Sequence, residues 1–266
     1  MHYSISSLKN YHLTATDGVI GHVKDIYFDS RAWTVRYLVV NTGAWLLGKE
    51  VLIPAAALGL VELAEKSIRV NLSLQKIKDA PDSDSALPVS RQDDSIHHEY
   101  YGFPPGVGPW VALHASAGAA LGGESPMPIG QESVSPSLEQ QPALTARGDF
   151  HLRSAHDVVG HTVRGSDDEI GGVGDFLVDD ADWSLRYFIV NTAIWFGKKV
   201  VVPTAAVREV SWDERTVYLT LPRERVKHAP EYHADGPPGE LEQRLAGYYG
   251  GTTEGASSLP RKRTDL

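Results

Sequence analysis

Two stretches of this sequence have the composition of a contact site. Asn41-Thr42-Gly43-Ala44-Trp45-Leu46-Leu47-Gly48-Lys49 and Asn191-Thr192-Ala193-Ile194-Trp195-Phe196-Gly197-Lys198 each set a tryptophan among apolar neighbours and close on Gly-Lys. Turns ordinarily collect Gly, Asn, Asp and Ser. An exposed tryptophan beside a cation is the composition of an interface hot spot. The same residue can equally cap the open end of its own domain and be buried, and at this level both placements stay open. Trp45, Lys49, Trp195 and Lys198 are therefore the candidate partner-binding residues.

Other chemistry-bearing groups point to ordinary structural roles. The acids Asp167-Asp168-Glu169 and Asp179-Asp180-Ala181-Asp182 offer carboxylate oxygens to a hard cation, but their spacing is not that of a calcium loop. They are expected to be solvated turns. His97-His98 and the five-spaced His151, His156 and His161 do not stack on one helical face, so surface histidines are expected rather than metal ligands. The Gly-rich run Gly165–Gly174 lacks the Lys-Ser/Thr ending of a phosphate loop and opens a strand, so it is read as hairpin chemistry. Arg36 and Arg186 interrupt apolar strands and are expected to pair with acids such as Asp25 and Asp175. No Gly-x-Ser-x-Gly elbow and no His-Glu-x-x-His helix occurs. The absence of cysteine removes disulfides, thiolate metal sites and cysteine nucleophiles. A non-enzymatic protein with no catalytic residues, no cofactor and no metal is expected.

The elements that carry these residues occur twice. Asp25-Ile-Tyr-Phe-Asp-Ser-Arg-Ala-Trp33 is echoed by Asp175-Phe-Leu-Val-Asp-Asp-Ala-Asp-Trp183, and Arg36-Tyr-Leu-Val-Val-Asn-Thr42 by Arg186-Tyr-Phe-Ile-Val-Asn-Thr192. The offset is 150 before the tryptophan turn and 149 after it, so one residue is deleted in that loop. About a third of the aligned positions are identical, over a unit too long for a solenoid repeat. This is a tandem domain duplication.

Each copy reads as a strand domain. Trp33, Val35, Tyr37 and Val39 alternate with Thr34, Arg36, Leu38 and Val40, and Trp183–Val190 keeps the pattern. Leu13–Ala15 and Ile20–Phe28 flank the turn signal Thr16-Asp17-Gly18. Glu50–Pro54, Leu58–Leu63 and Ser67–Leu72 follow as further short strands. The predicted fold is all-β: two small barrels, each followed by a short helical tail, with closure removing exposed edges. The expected domains are 1–82 and 150–231, with helical tails over 83–102 and 232–250. Each copy is expected to enclose its own apolar interior without help from the other. In the tails, Ser90–Asp93 resembles a helix cap, and Leu241, Leu245 and Tyr248 share one helical face. Residues 103–149 hold seven of the sixteen prolines and read as a flexible linker, and 251–266 as a disordered end with Arg261-Lys262-Arg263 solvated.

The whole chain of 266 residues carries 25 basic and 34 acidic residues, a net charge of −9. That balance disfavours binding to phosphate backbones, so no nucleic acid is expected as a partner. No run approaches the length of a membrane helix and Met1–Lys9 has no secretory order, so a cytoplasmic protein without an integral membrane segment is expected.

The order Asp17-Gly18-x-Ile20-Gly21-x-Val23-x-Asp25-x-x-Phe28-Asp29, then Trp33-x-x-Arg36-Tyr37-Leu38-Val39-Val40 and Val51–Pro54, resembles the PRC-barrel domain. Its second occurrence runs from Ile170-Gly171-x-Val173-x-Asp175 to Pro203. The tail Ser90-Arg91 … Tyr100-Tyr101-Gly102-Phe103-Pro104 is similar to tails in stand-alone members. That family includes the cytoplasmic domain of the photosynthetic reaction-centre H subunit and the C-terminal domain of ribosome maturation factors. The resemblance implies a small barrel that binds or assembles proteins rather than catalyses. The chain shows neither the membrane helix of the H subunit nor the separate N-terminal domain of the ribosome factors. A protein-binding or assembly module is the leading expectation. The alternatives are a peripheral component of a photosynthetic electron-transport assembly and an accessory factor in RNA processing or ribosome assembly. Intramolecular docking of the barrels, or a homo-oligomer, is compatible with the duplication.

Overall fold

The structure, a computed structural model, describes residues 1–9, 11–81, 95–102, 151–192, 197–234, 236 and 239–249. The chain forms two compact units that do not follow sequence order. One consists of Ile5–Asp157 with Asp180–Ser184, the other of Met1–Ser4 with Val158–Asp179 and Leu185–Leu266.

The first of these units holds a seven-stranded sheet. Its long strand β3 (Gly18–Asp29) pairs antiparallel with β2 (His12–Ala15) and β4 (Thr34–Asn41). Beyond β4 lies β5 (Glu50–Pro54). Beyond β2 lie β7 (Ser67–Val70), which pairs parallel to β2, and then β6 (Leu58–Glu62). The hydrogen-bonded order is β5-β4-β3-β2-β7-β6, so both ends of the path are open where closure was expected. A single 3-10 turn, Ala55–Ala57, carries the chain from β5 to β6.

The second unit repeats this order. β9 (Thr162–Arg164), β10 (Glu169–Asp179), β11 (Leu185–Thr192), β12 (Lys198–Pro203), β13 (Val207–Ser211) and β14 (Thr216–Leu219) run β12-β11-β10-β9-β14-β13. The six strands read in the first copy all appear, and their counterparts return in the second.

The expectation of two self-sufficient copies is corrected. β2 covers only the first part of β3, which leaves the stretch Tyr27–Asp29 with an unpaired edge. Backbone donors and acceptors there need a partner. The partner is β8 (Leu152–Ser154), with Tyr27 opposite Ser154, Phe28 opposite Arg153 and Asp29 opposite Leu152. In the second unit the matching edge of β10, Leu177–Asp179, pairs with β1 (His2–Ser4). Each sheet thus takes its seventh strand from the other copy. The first unit also takes 180–184, where the Trp183 carbonyl accepts from the Val35 N–H at 2.8 Å and Thr34 bridges Ser184.

Strict alternation in β4 implies one buried face, yet Val35, Tyr37, Leu38, Val39 and Val40 are all buried. Leu38 packs inward, while Tyr37 and Val39 form an outer cluster with Leu52 and Leu152. A strand covered on both faces reads as a continuous apolar run. The tail helices supply part of the cover. Short helices α1 (Ile5–Leu8) and α2 (Leu74–Lys78) precede α3 (Ser95–Tyr101). From α3, Tyr101 donates its hydroxyl to the Leu52 carbonyl at 3.1 Å and Tyr100 donates to Lys76 at 2.8 Å.

The second copy has α4 (Ala155–Val158), α5 (Arg223–Lys227) and α6 (Glu240–Tyr249). Tyr249 donates to the Val201 carbonyl at 2.9 Å and Tyr248 to Arg225 at 2.6 Å. Leu245, with Leu241 and Tyr249 beside it, joins Leu177, Ile189 and Val201 in an outer cluster. Of the face expected from the sequence, Leu241 and Leu245 are engaged, while Tyr248 lies under the Arg225 guanidinium, 5.0 Å from its ring centre. The cap read at Ser90–Asp93, the linker and the C-terminal segment lie outside the described residues.

Burial pushes the Tyr101 and Tyr249 hydroxyls well above the ordinary tyrosine value of 10.0. The neutral form is therefore favoured in the folded chain, and its stabilising contribution is complete below pH about 10. It is lost as pH rises above that value, because unfolded tyrosine then ionises while the folded one does not. Chemical denaturation at pH 8 and pH 11 should show a loss of stability that is smaller in Tyr101→Phe/Tyr249→Phe. An equal loss in the double variant would contradict the assignment.

Candidate functional site

The connection between β4 and β5 is a closed, internally bonded tip. Thr42 ties its base: its N–H and its hydroxyl both donate to the Lys49 carbonyl, at 3.2 and 2.7 Å. The Asn41 side chain accepts from the Gly43 N–H at 2.8 Å, and Lys49 donates its N–H to the Leu46 carbonyl at 3.0 Å. Gly43 and Gly48 adopt φ of 57° and 78°, where glycine pays no steric penalty.

Leu47 adopts φ of 54° as well, yet it carries a branched apolar side chain that is 97% exposed. A left-handed leucine costs about 1–2 kcal/mol, and this one recovers nothing by burial. Trp45, two residues earlier, is 36% exposed. Of the two placements left open by the sequence, Trp45 takes the exposed one. Lys49 is half-buried at the base of the tip.

At the second tip the same tie recurs, the Thr192 hydroxyl donating to the Lys198 carbonyl at 2.9 Å, and Gly197 again has positive φ. Trp195 lies outside the described residues. Lys198 pairs with Glu231 and holds that carboxyl below the usual range, so its ammonium is committed within its own unit.

The expected partners of the strand arginines are corrected. Tyr27 pairs with Tyr37 and Phe28 with Val35, so Arg36 is the extra residue of a bulge and reaches Asp29 at 3.6 Å rather than Asp25. Arg186 is displaced in the same way toward Asp179, at 3.2 Å. Asp25 instead accepts from the Ser154 hydroxyl and from the Ile26 and His156 N–H groups.

The acidic runs work as local hydrogen-bond acceptors. Asp167 accepts from the Arg223 N–H at 2.7 Å. Asp168 accepts the Glu169 N–H and pairs with the Arg223 guanidinium, which together lower its pKa. Asp182 accepts from the Ser184 N–H at 3.0 Å.

Two histidines expected at the surface are buried. His161 stands where the first copy has buried Tyr11, with its ring 6.1 Å from Trp212. His97 faces the Tyr37 ring from α3, also at 6.1 Å. His156 is exposed. The glycines of 165–174 serve close strand approach: a Cβ on Gly171 would stand 2.1 Å from the Asn191 carbonyl oxygen.

Composition alone did not single out Val19 and Leu60, which are 59% and 74% exposed. The second copy has exposed Glu169 and Glu209 there, so comparing the copies position by position is the signal that finds them.

The strand order, the duplicated Ile-Gly-x-Val-x-Asp segments and the paired tips together define a small β-domain that occurs twice. The profile of the PRC-barrel domain matches residues 1–73 and 150–226. The chain belongs to the PRC-barrel domain family. A Deinococcus radiodurans protein described as uncharacterized is 38% identical over 85 residues, which is 31% of this chain and 30% of that protein. The chain therefore matches less than a third of that relative's length. No helix among the described residues is long and apolar enough to cross a membrane.

Proposed function

We propose that this chain is a non-catalytic assembly module whose two small barrels engage a protein partner through the hairpin tips at Trp45 and Trp195. The observation that carries this reading is Leu47: an exposed leucine held in the left-handed region beside a solvent-facing tryptophan. Such an outlier points toward a use outside the chain's own core. Lys49 and Lys198 flank the contact, Lys198 being paired with Glu231.

Duplication supports the same reading. Two weak contacts on one chain act together through effective concentration, which raises avidity by about 10²–10⁴ without any new contact. The test is capture of host proteins on the immobilised chain, with circular dichroism confirming that each variant keeps its native spectrum. Trp45→Ala and Trp195→Ala should each weaken capture in part, and the double variant should lose it. Undiminished capture by the folded double variant refutes the tips as the contact.

A further inference from the structure

The two exchanged strands are homologous, β1 with residues 2–4 and β8 with residues 152–154, and each completes the sheet of the other copy. We infer that the N-terminal and C-terminal halves of this one chain are obligate partners held by these exchanged strands. This rests on the fold alone and is independent of the role proposed for the tips.

The slot on β10 is acidic. His2 Nδ1 lies 2.8 Å from Glu242 Oε1 on α6, and Nε2 lies 3.8 Å from Asp179 Oδ2 on β10. The ring meets Tyr187 edge-on, with centroids 5.3 Å apart. The slot on β3 sets Leu152 opposite Asp29, which pairs with Arg36. Leu152 is 1% exposed and packs with Tyr37, Val39 and Leu52. Two residues before Tyr27 on β3, Asp25 accepts from the Ser154 hydroxyl, whose oxygen in turn accepts from the Asp157 N–H at 3.2 Å.

Separating the halves would strip the Leu177–Asp179 and Tyr27–Asp29 edges of their ladder partners, part His2 from Glu242 and uncover Leu152. Backbone and side-chain polar groups left without partners are costly. Each strand is followed immediately by a short helix, α1 or α4, so the chain leaves one unit and enters the other between Ser4 and Ile5, and again between Asp157 and Val158.

The chain has no native cysteine, so introduced pairs report the register directly. Directly opposed residues of an antiparallel pair have Cα atoms about 4.5–5.5 Å apart, within disulfide range. The exchanged register places Ser4 opposite Leu177 and Ser154 opposite Tyr27. In the full chain, Ser4→Cys/Leu177→Cys and Ser154→Cys/Tyr27→Cys should oxidise within one chain. The own-copy pairs Ser4→Cys/Tyr27→Cys and Ser154→Cys/Leu177→Cys should stay reduced.

A second measurement does not depend on those variants folding. With a site-specific protease sequence inserted between residues 103 and 149, the cleaved halves should co-elute on gel filtration and separate only in denaturant. Oxidation of the own-copy pairs, disulfides joining two chains instead of one, or separation of the cleaved halves under native conditions would each overturn the inference.

Discussion

Replacing Gly21 by alanine is expected to destabilise the first unit by about 3–5 kcal/mol, among the larger effects a single methyl group can have. A Cβ at this position would stand 2.0 Å from the Asn41 carbonyl oxygen and 2.9 Å from its carbon. Both are backbone atoms of β4, paired in register with β3 at His22 and Asn41, so neither can swing aside as a side chain would. The strands must separate, which breaks the ladder at the base of the hairpin tip. Gly171→Ala should behave alike, because its Cβ would meet the Asn191 oxygen at 2.1 Å.

Gly43→Ala is the informative contrast. Open space surrounds that glycine, and only its positive φ opposes a side chain. The cost there should be about 1 kcal/mol. Urea unfolding followed by tryptophan fluorescence separates the two cases through the midpoint at constant slope. Equal midpoints for Gly21→Ala and Gly43→Ala would refute the close-approach explanation.

Phe188→Ala should cost a similar amount, about 3–5 kcal/mol, through lost transfer energy and the cavity left behind. Phe188 lies in a buried row across the second sheet, opposite Phe176 on one side and Val202 on the other. The equivalent row of the first copy is Ile26, Leu38 and Ile53. Large and small residues are traded between neighbouring strands, so both rows fill at near-constant volume. Phe188→Leu imports only one member of the other solution and should cost less than about 1.5 kcal/mol. Leu38→Phe adds volume without the compensating change at its neighbours and should cost about 1–3 kcal/mol. Thermal or urea melts of these three variants rank them. A Leu38→Phe protein as stable as the parent would show that the rows are not filled independently.

Much of the architecture is legible in the residues because its signals are local. Period-two alternation in Thr34–Asn41, turn residues at Asp17-Gly18 and the repetition of both at a fixed offset mark the strands and the duplication. The Ile-Gly-x-Val pattern at 20–23 and 170–173 is visible too, though only the β3–β4 approach explains why glycine stands there. The exchanged strands are invisible for a physical reason. Three residues carry too little periodicity to register, and His2–Ser4 has the same backbone needs on either edge. The side chains that His2 meets, Asp179 and Glu242, lie more than 150 residues away in the chain.

Bulges hide the partners of Arg36 and Arg186. An unpaired extra residue shifts an ion pair from Asp25 to Asp29 with no mark in the composition. Burial of His161 and His97 goes with ring neighbours distant in sequence, Trp212 and Tyr37, that spacing arguments about metal ligands do not consider. At the tip, Trp45 and Lys49 were found as unusual turn residues. The exposure of Leu47 required the backbone conformation to be known.

The assignment of the tip as the contact surface is tested most directly by placing a photoreactive amino acid at Leu47 in the full-length chain and illuminating intact host cells. A matched probe at exposed Glu65, in the turn between β6 and β7, serves as the reference. Covalent adducts to a defined protein at position 47, absent at 65 and abolished by Trp45→Ala/Trp195→Ala, are the predicted outcome. No adduct at 47, or the same adducts from both positions, would contradict it.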